Sequence, residues 1–232
     1  MTTEEQRISD DAHEYIRKHT EEVIQRFTKD AQSVARPVSL FLAGSPGAGK
    51  TEVSRSLIKR FKTMPVRIDA DEIRAMCPGY IGKDAHLFQK AATKGVHILY
   101  DYALNKKLHL ILDGTFAYGD SAQNIKRSID KHRIIELWFV YQDPKKAWEV
   151  TIAREALERR HVSKEIFIKA FLKSQENAKN AKKLFGSAVV LNLLVKNTDH
   201  TDGILKLNIQ AEELDAHIGA SYSEENLIAL LS

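Results

Sequence analysis

The sharpest chemical signal in the chain is Gly44-Ser45-Pro46-Gly47-Ala48-Gly49-Lys50-Thr51, a G-x-x-x-x-G-K-T loop. Glycines in this pattern let successive backbone N–H groups turn inward onto a β-phosphate. Lys50 then reaches the β- and γ-phosphates, and the Thr51 hydroxyl ligates Mg²⁺. The loop follows a short apolar run, residues 38–43, and leads into a helical pattern, which is the context this chemistry needs. The direct implication is a bound nucleoside triphosphate, with ATP the expected one and Mg²⁺ as its counter-ion.

Three other groups have types and positions that suit phosphoryl transfer. Asp113 closes an apolar run, and an acid there lies near Mg²⁺ or its water shell, although a strand ending in Asp-Gly is also an ordinary turn. Arg67-Ile68-Asp69-Ala70-Asp71-Glu72-Ile73-Arg74 begins at the C-terminal end of the second expected strand, on the same sheet edge as the loop. A carboxylate there can accept the proton of an attacking hydroxyl while an arginine steadies phosphate charge. Asp69 and Asp71 cannot both face one substrate, so one of them caps the next helix. The residues alone leave that choice open; Asp71 is taken as the base, with Arg74 beside it for the substrate. Finally, Arg154, Arg159 and Arg160 cluster at the end of a later helix, where guanidinium groups can close over a triphosphate; a solvated basic helix end is the plain alternative.

The elements that must position these groups follow from periodicity. Helical spacing predicts helices over 4–29, 52–61, 84–106, 119–131, 144–160 and 163–185. Apolar β-prone runs predict strands at 38–43, 65–68, 108–112, 134–141 and 188–195, with a weaker one at 204–209. Strands separated by helices of this length need crossover connections, which give a three-layer α/β fold around a mainly parallel sheet. A chain of 232 residues, 43% apolar, suits one domain, residues 1–232, with an N-terminal helical segment (1–35) and a C-terminal extension (199–232) as its appendages. Cys77 is the single cysteine and is expected to be a small buried side chain. No run is long and apolar enough for a membrane span and the first residues lack a signal pattern, so a cytoplasmic protein without membrane contact is expected. Residues 1–30 carry eight acids against five bases, so the net charge of +4 is concentrated in the remainder, which suits an anionic ligand as well as a solvated lysine-rich surface.

Taken in order, GSPGAGKT, IDADEIR, ILDGTF and TIAREALERRHVSKEIFIKAF resemble the zeta toxin family of bacterial toxin–antitoxin kinases over roughly residues 10–195. The resemblance implies a P-loop kinase fold and ATP-dependent phosphorylation of the sugar 3′-hydroxyl of UDP-N-acetylglucosamine. It also implies Lys50 as the ATP-phosphate lysine, Asp71 as general base, Thr115 as a contact to the nucleotide sugar, and Arg154 with Arg160 as the phosphate clamp. An antitoxin protein is the partner it suggests, with the acidic first helix as one place for it to act. The chain departs from the family at His97, where better-known members carry an acid that helps hold the sugar; Asp101 lies one turn onward. The span from Arg154 to Arg160 is also shorter, which brings Arg159 into consideration.

Two other readings remain at this level. A polynucleotide 5′-hydroxyl kinase also suits D-x-D-x-x-R after the second strand, but the chain lacks the basic stripe interleaved with aromatics that a nucleic-acid channel needs. A nucleotide-binding switch with little turnover is the other, and Asp71 separates it from a kinase.

Overall fold

Val38–Ala43 (β1) is apolar at every position but Ser39, and such a strand is stable only with both faces covered. It lies inside a six-stranded sheet ordered β2-β3-β1-β4-β5-β6, built with Val66–Asp69 (β2), Leu110–Asp113 (β3), Ile134–Tyr141 (β4), Val189–Lys196 (β5) and Asp202–Lys206 (β6). β1 to β5 run parallel, and β6 pairs antiparallel with β5. This computed structural model describes every residue except 120, 159, 160, 198 and 200, and only the backbone of 156–158 and 202.

The helices are Thr3–Lys18 (α1), Thr20–Thr28 (α2), Lys50–Ile58 (α3), Ala70–Arg74 (α4), Gln89–Asn105 (α5), Ser121–Asp130 (α6), Pro144–Glu158 (α7), Lys164–Phe185 (α8), Ala211–Ile218 (α9) and Glu224–Leu230 (α10). The two-residue period of β1 divides the core. Phe41 and Ala43 join the larger cluster with Ile16, Leu99 and Phe167, whereas Leu40 and Leu42 meet Val53 and Leu57 of α3 on the other face. Each fully buried side chain such as Phe41 or Leu40 contributes about 1.5–3 kcal/mol of transfer free energy. The expected three-layer α/β architecture is therefore present.

From β1 the chain crosses to β2 and β3 on one side, and only later adds β4 on the other. The sheet order thus reverses at the C-terminal end of β1, which is where open α/β sheets bind ligands.

Several boundaries differ from the periodicity. The first expected helix is two, because His19 Nδ1 approaches the Tyr15 carbonyl at 2.8 Å and Thr20 Oγ1 donates to the Arg17 carbonyl, so side chains compete for the helical acceptors. α5 starts at Gln89 rather than near 84, since Asp84 and Gly82 accept the turn bonds of Leu87 and Ala85. β6 ends at Lys206, and Asn208, at φ 52°, turns the chain away while its N–H donates to Asn192 Oδ1. Short α4 and the C-terminal α9 and α10 had no strong periodic signal. Cys77 is buried, and burial pushes its pKa up to about 11, as suits a packing side chain. Among the described residues no helix is long and apolar enough to cross a membrane.

The opposite edge of the sheet is tied by polar side chains. Buried Arg133 donates to Ser39 Oγ (2.6 Å) and to the carbonyls of Val38, Ala103 and Leu108. Nearby, the Val38 N–H donates to His109 Nδ1 at 3.0 Å, which fixes the neutral tautomer with its proton on Nε2. Burial, with Arg133 adding to it, holds the His109 pKa below its ordinary value. The unfolded chain therefore binds this proton more readily, so the stability is complete above about pH 6.5 and is lost as pH falls from there through the lower folded value. Melting temperatures measured across that window should fall in the native chain and fall less in His109→Asn, which keeps an acceptor but does not titrate; equal slopes would refute the assignment.

Candidate active site

The loop between β1 and α3 is held open by contacts that only glycine permits. Gly44 has φ 136°, and a Cβ there would stand 2.3 Å from the Val140 carbonyl oxygen. Gly47 has φ 73°, and its Cβ would stand 2.0 Å from the Ala147 carbonyl oxygen and 2.8 Å from Thr151 Oγ1. The loop is thus wedged between β4 and α7. Within it Ala48 N–H donates to the Ser45 carbonyl, and Lys50 Nζ curls back to that same oxygen at 2.6 Å. Gly49 is the N-cap of α3, so the first-turn amides of that helix open toward the loop. The eight residues from Gly44 to Thr51 thus form one loop and the first turn of the helix behind it.

The neighbouring strands bring the other expected groups to the same edge. Gly44 N–H donates to the Thr115 carbonyl at 3.2 Å, which sets Thr115 against the loop. Asp69 is the N-cap of α4: its Oδ1 accepts the Asp71 N–H at 2.9 Å and its Oδ2 accepts from Arg67 Nη2 at 2.6 Å. Burial raises the Asp69 pKa, and the Asp71 charge adds to that. Asp71 stands in the first turn of α4 with 34% of its side chain exposed, paired with Arg74. The capping acid is therefore Asp69, and Asp71 is the one that reaches solvent.

Arg74 is buried, and it bonds Asp71 through one terminal nitrogen and Gln89 Oε1 through the other, while its Nε has no hydrogen-bond partner. This places α4 against the start of α5. The close packing depends on Gly95, where a Cβ would meet Ile73 Cγ2 at 2.6 Å and Ile16 Cγ2 at 3.6 Å. Hence α1, which buries Ser9, Ala12 and Ile16, also supports the turn that carries Asp71.

Arg154 lies on α7, one turn beyond Thr151, whose hydroxyl donates to the Ala147 carbonyl and backs onto Gly47. Arg159 and Arg160 lie outside the described residues. His97 is exposed, and Asp101 pairs with Arg127 of α6. From Gln89, beside Arg74, α5 carries these two residues about 12 and 18 Å away along its axis at its normal rise. They thus stand about two and three helical turns along α5 from the residue that holds Arg74.

For a metal, Thr51 fits: it is a hydroxyl in the first turn of α3, next to Lys50. Asp113 is nearly buried and accepts two bonds from Arg67. Among the described residues no three His, Cys, Asp or Glu side chains are gathered for a metal.

With this geometry in hand, the protein-family model described as Zeta toxin matches residues 8–206. The chain belongs to the zeta toxin family. A curated relative, Toxin PezT of Streptococcus pneumoniae serotype 4 (strain ATCC BAA-334 / TIGR4), is 28% identical over 142 residues, 56% of this chain and 55% of that one. The match thus spans about half the length of the relative. Among solved structures, one described as the PezAT chromosomal toxin-antitoxin system of Streptococcus pneumoniae superposes with a TM-score of 0.69 at 18% identity, covering 99% of this chain and 93% of the other. AvrRxo1-ORF1:-ORF2 with ATP gives 0.64 at 11% identity, covering 89% and 71%. At these identities the structures support the fold.

Two residues of this zeta toxin family chain gain roles that periodicity did not reveal. Gln89 holds Arg74, and its only sequence signal is its place at the start of α5. Arg67, part of the strand-end constellation, turns to the α3 side of the sheet and meets Asp69, Glu72, Asp113 and Ser54.

Proposed function

We propose that the chain transfers the γ-phosphoryl group of ATP to a sugar hydroxyl of UDP-N-acetylglucosamine or a related nucleotide sugar. The observation that carries the phosphoryl-transfer part of this reading is the juxtaposition, on one sheet edge, of the glycine-walled loop and a solvent-reaching carboxylate, Asp71, whose neighbour Asp69 is committed to capping; the nucleotide-sugar acceptor rests on the resemblance to the zeta toxin family. Family membership supports a kinase, and the likeness to a structure described with ATP supports that nucleotide. The whole of residues 1–232 is taken to act as one unit, in the cytoplasm, and an antitoxin is the expected protein partner, in keeping with the toxin–antitoxin description of the PezAT structure.

In this mechanism the Lys50 ammonium and the amides of Gly47, Gly49, Lys50 and Thr51 cradle the triphosphate, because Pro46 has no N–H and the Gly44 and Ala48 N–H groups donate to the Thr115 and Ser45 carbonyls. Asp71 takes the proton of the acceptor hydroxyl as it attacks in line. Arg74 holds Asp71 in place, Thr115 orients the acceptor, and Arg154 with Arg160 neutralises the charge spreading over the transferring group. Thr51 would hold Mg²⁺, with Asp113 behind its water shell; when bound, the metal neutralises phosphate charge.

The test is to incubate the full chain with ATP, Mg²⁺ and a panel of nucleotide sugars and 5′-hydroxyl oligonucleotides, following the gain of one phosphoryl group by mass. Transfer to a nucleotide sugar is expected. Transfer confined to oligonucleotides would move the acceptor to nucleic acid, and ATP binding without any transfer would favour the switch reading.

A further inference from the structure

β2 and β3 place Asp69 and Asp113 in direct register, side by side at the ends of parallel strands. Both carboxylates turn to the α3 face, and like charges so placed repel. Glu72 joins them from the first turn of α4. Arg67 answers all three. Its position two residues before Asp69 puts it on the same face of β2, and its guanidinium reaches Asp69 Oδ2 (2.6 Å), Asp113 Oδ2 (2.7 and 3.0 Å) and the Glu72 carboxylate. Nε also lies 3.2 Å from Ser54 Oγ, and Ser54 in turn donates to the Thr51 carbonyl. Burial opposes the Arg67 charge, yet Asp113 first, then Asp69 and Glu72, hold its pKa above the ordinary arginine value.

This arrangement bears on where a divalent cation can sit. Side-chain exposure is only 16% at Arg67 and 6% at Asp113, so the pair is enclosed. A metal ligated directly by Asp113 would have to displace the guanidinium or sit against it, and two positive charges so close in a partly buried site repel strongly. The planar fork of arginine presents five donors in a fixed geometry and so meets these acceptors with less freedom to lose than a lysine would.

We propose that Arg67 is a positioning residue that serves as a fixed counter-cation, occupying the inner face of Asp113 in place of a protein-bound divalent ion. The inference rests on the proposed kinase reading of the adjoining loop. Its consequence is that Mg²⁺ enters only with the triphosphate and is held by Thr51 and phosphate oxygens, while Asp113 acts on it through water. Arg67 also offsets part of the negative charge with which the three acids would face the incoming polyphosphate.

The test uses the full chain, free of nucleotide, with Mn²⁺ binding followed by the electron paramagnetic resonance signal of the free ion. The native protein should bind Mn²⁺ weakly. Arg67→Met should gain one site tighter by about tenfold or more, and Arg67→Met with Asp113→Asn should lose that gain. A native chain that already binds as tightly as Arg67→Met, or a folded Arg67→Met that gains nothing, overturns the proposal. Should Arg67→Met fail to fold, Arg67→Gln takes its place: a gain of about tenfold or more is expected, and a folded Arg67→Gln that gains nothing overturns the proposal. Absence of ATP binding in every variant would instead strike the kinase reading, because the nucleotide-free measurement stands without it.

Discussion

Asp71→Asn should lower phosphoryl transfer by roughly 10²–10⁴-fold while leaving ATP affinity nearly unchanged. The carboxylate stands at the C-terminal edge of the sheet, outside the loop proposed to cradle the triphosphate, and the amide cannot accept the hydroxyl proton. The companion variant is as informative. Asp69→Asn keeps a capping oxygen for the Asp71 N–H and should therefore preserve α4, with a much smaller effect on turnover. Single-turnover transfer with saturating ATP, together with a nucleotide titration, measures both quantities. If Asp71→Asn retained transfer within tenfold of the native chain while Asp69→Asn abolished it, the roles of the two acids would have to be exchanged.

The second large effect belongs to Gly47. A valine there must adopt φ 73°, unfavourable for a branched side chain, and must place its Cβ where the Ala147 carbonyl oxygen and Thr151 Oγ1 already stand. The loop cannot keep its path between β4 and α7, and the backbone proposed to meet the nucleotide is displaced with it. Gly47→Val should cost more than about 100-fold in ATP affinity, equivalent to about 2.7 kcal/mol, alongside about 1–3 kcal/mol of folding stability. Calorimetric ATP titration and thermal melts with and without nucleotide separate the two terms. A folded Gly47→Val chain with native ATP affinity would remove the loop from the nucleotide site.

The other expected effects are smaller because they act on support rather than on the reacting groups. His109 reports on the far edge of the sheet, and Arg67 on the proposed counter-cation beside Asp113.

What the sequence determined by itself was local and periodic. An apolar strand, a glycine loop and a helix in immediate succession need no distant contact to be recognised, so residues 38–58 were legible from pattern alone, as were the long helices and the parallel sheet they impose. The division of labour between Asp69 and Asp71 was not, because both acids suit a strand-to-helix turn and only the hydrogen bond from the Asp71 N–H distinguishes them. The same holds for Arg67, whose three acidic partners come from β2, α4 and β3 and meet only when the sheet sets Asp69 beside Asp113. His97 and Asp101 show the converse: the family resemblance drew attention to this stretch of α5, and the helix sets the two residues about 12 and 18 Å along its axis from Gln89 at a fixed rise per residue. Spacing along one element survives folding, whereas charge partnership between elements is decided by register and by which face a side chain takes, and those are properties of the assembled sheet.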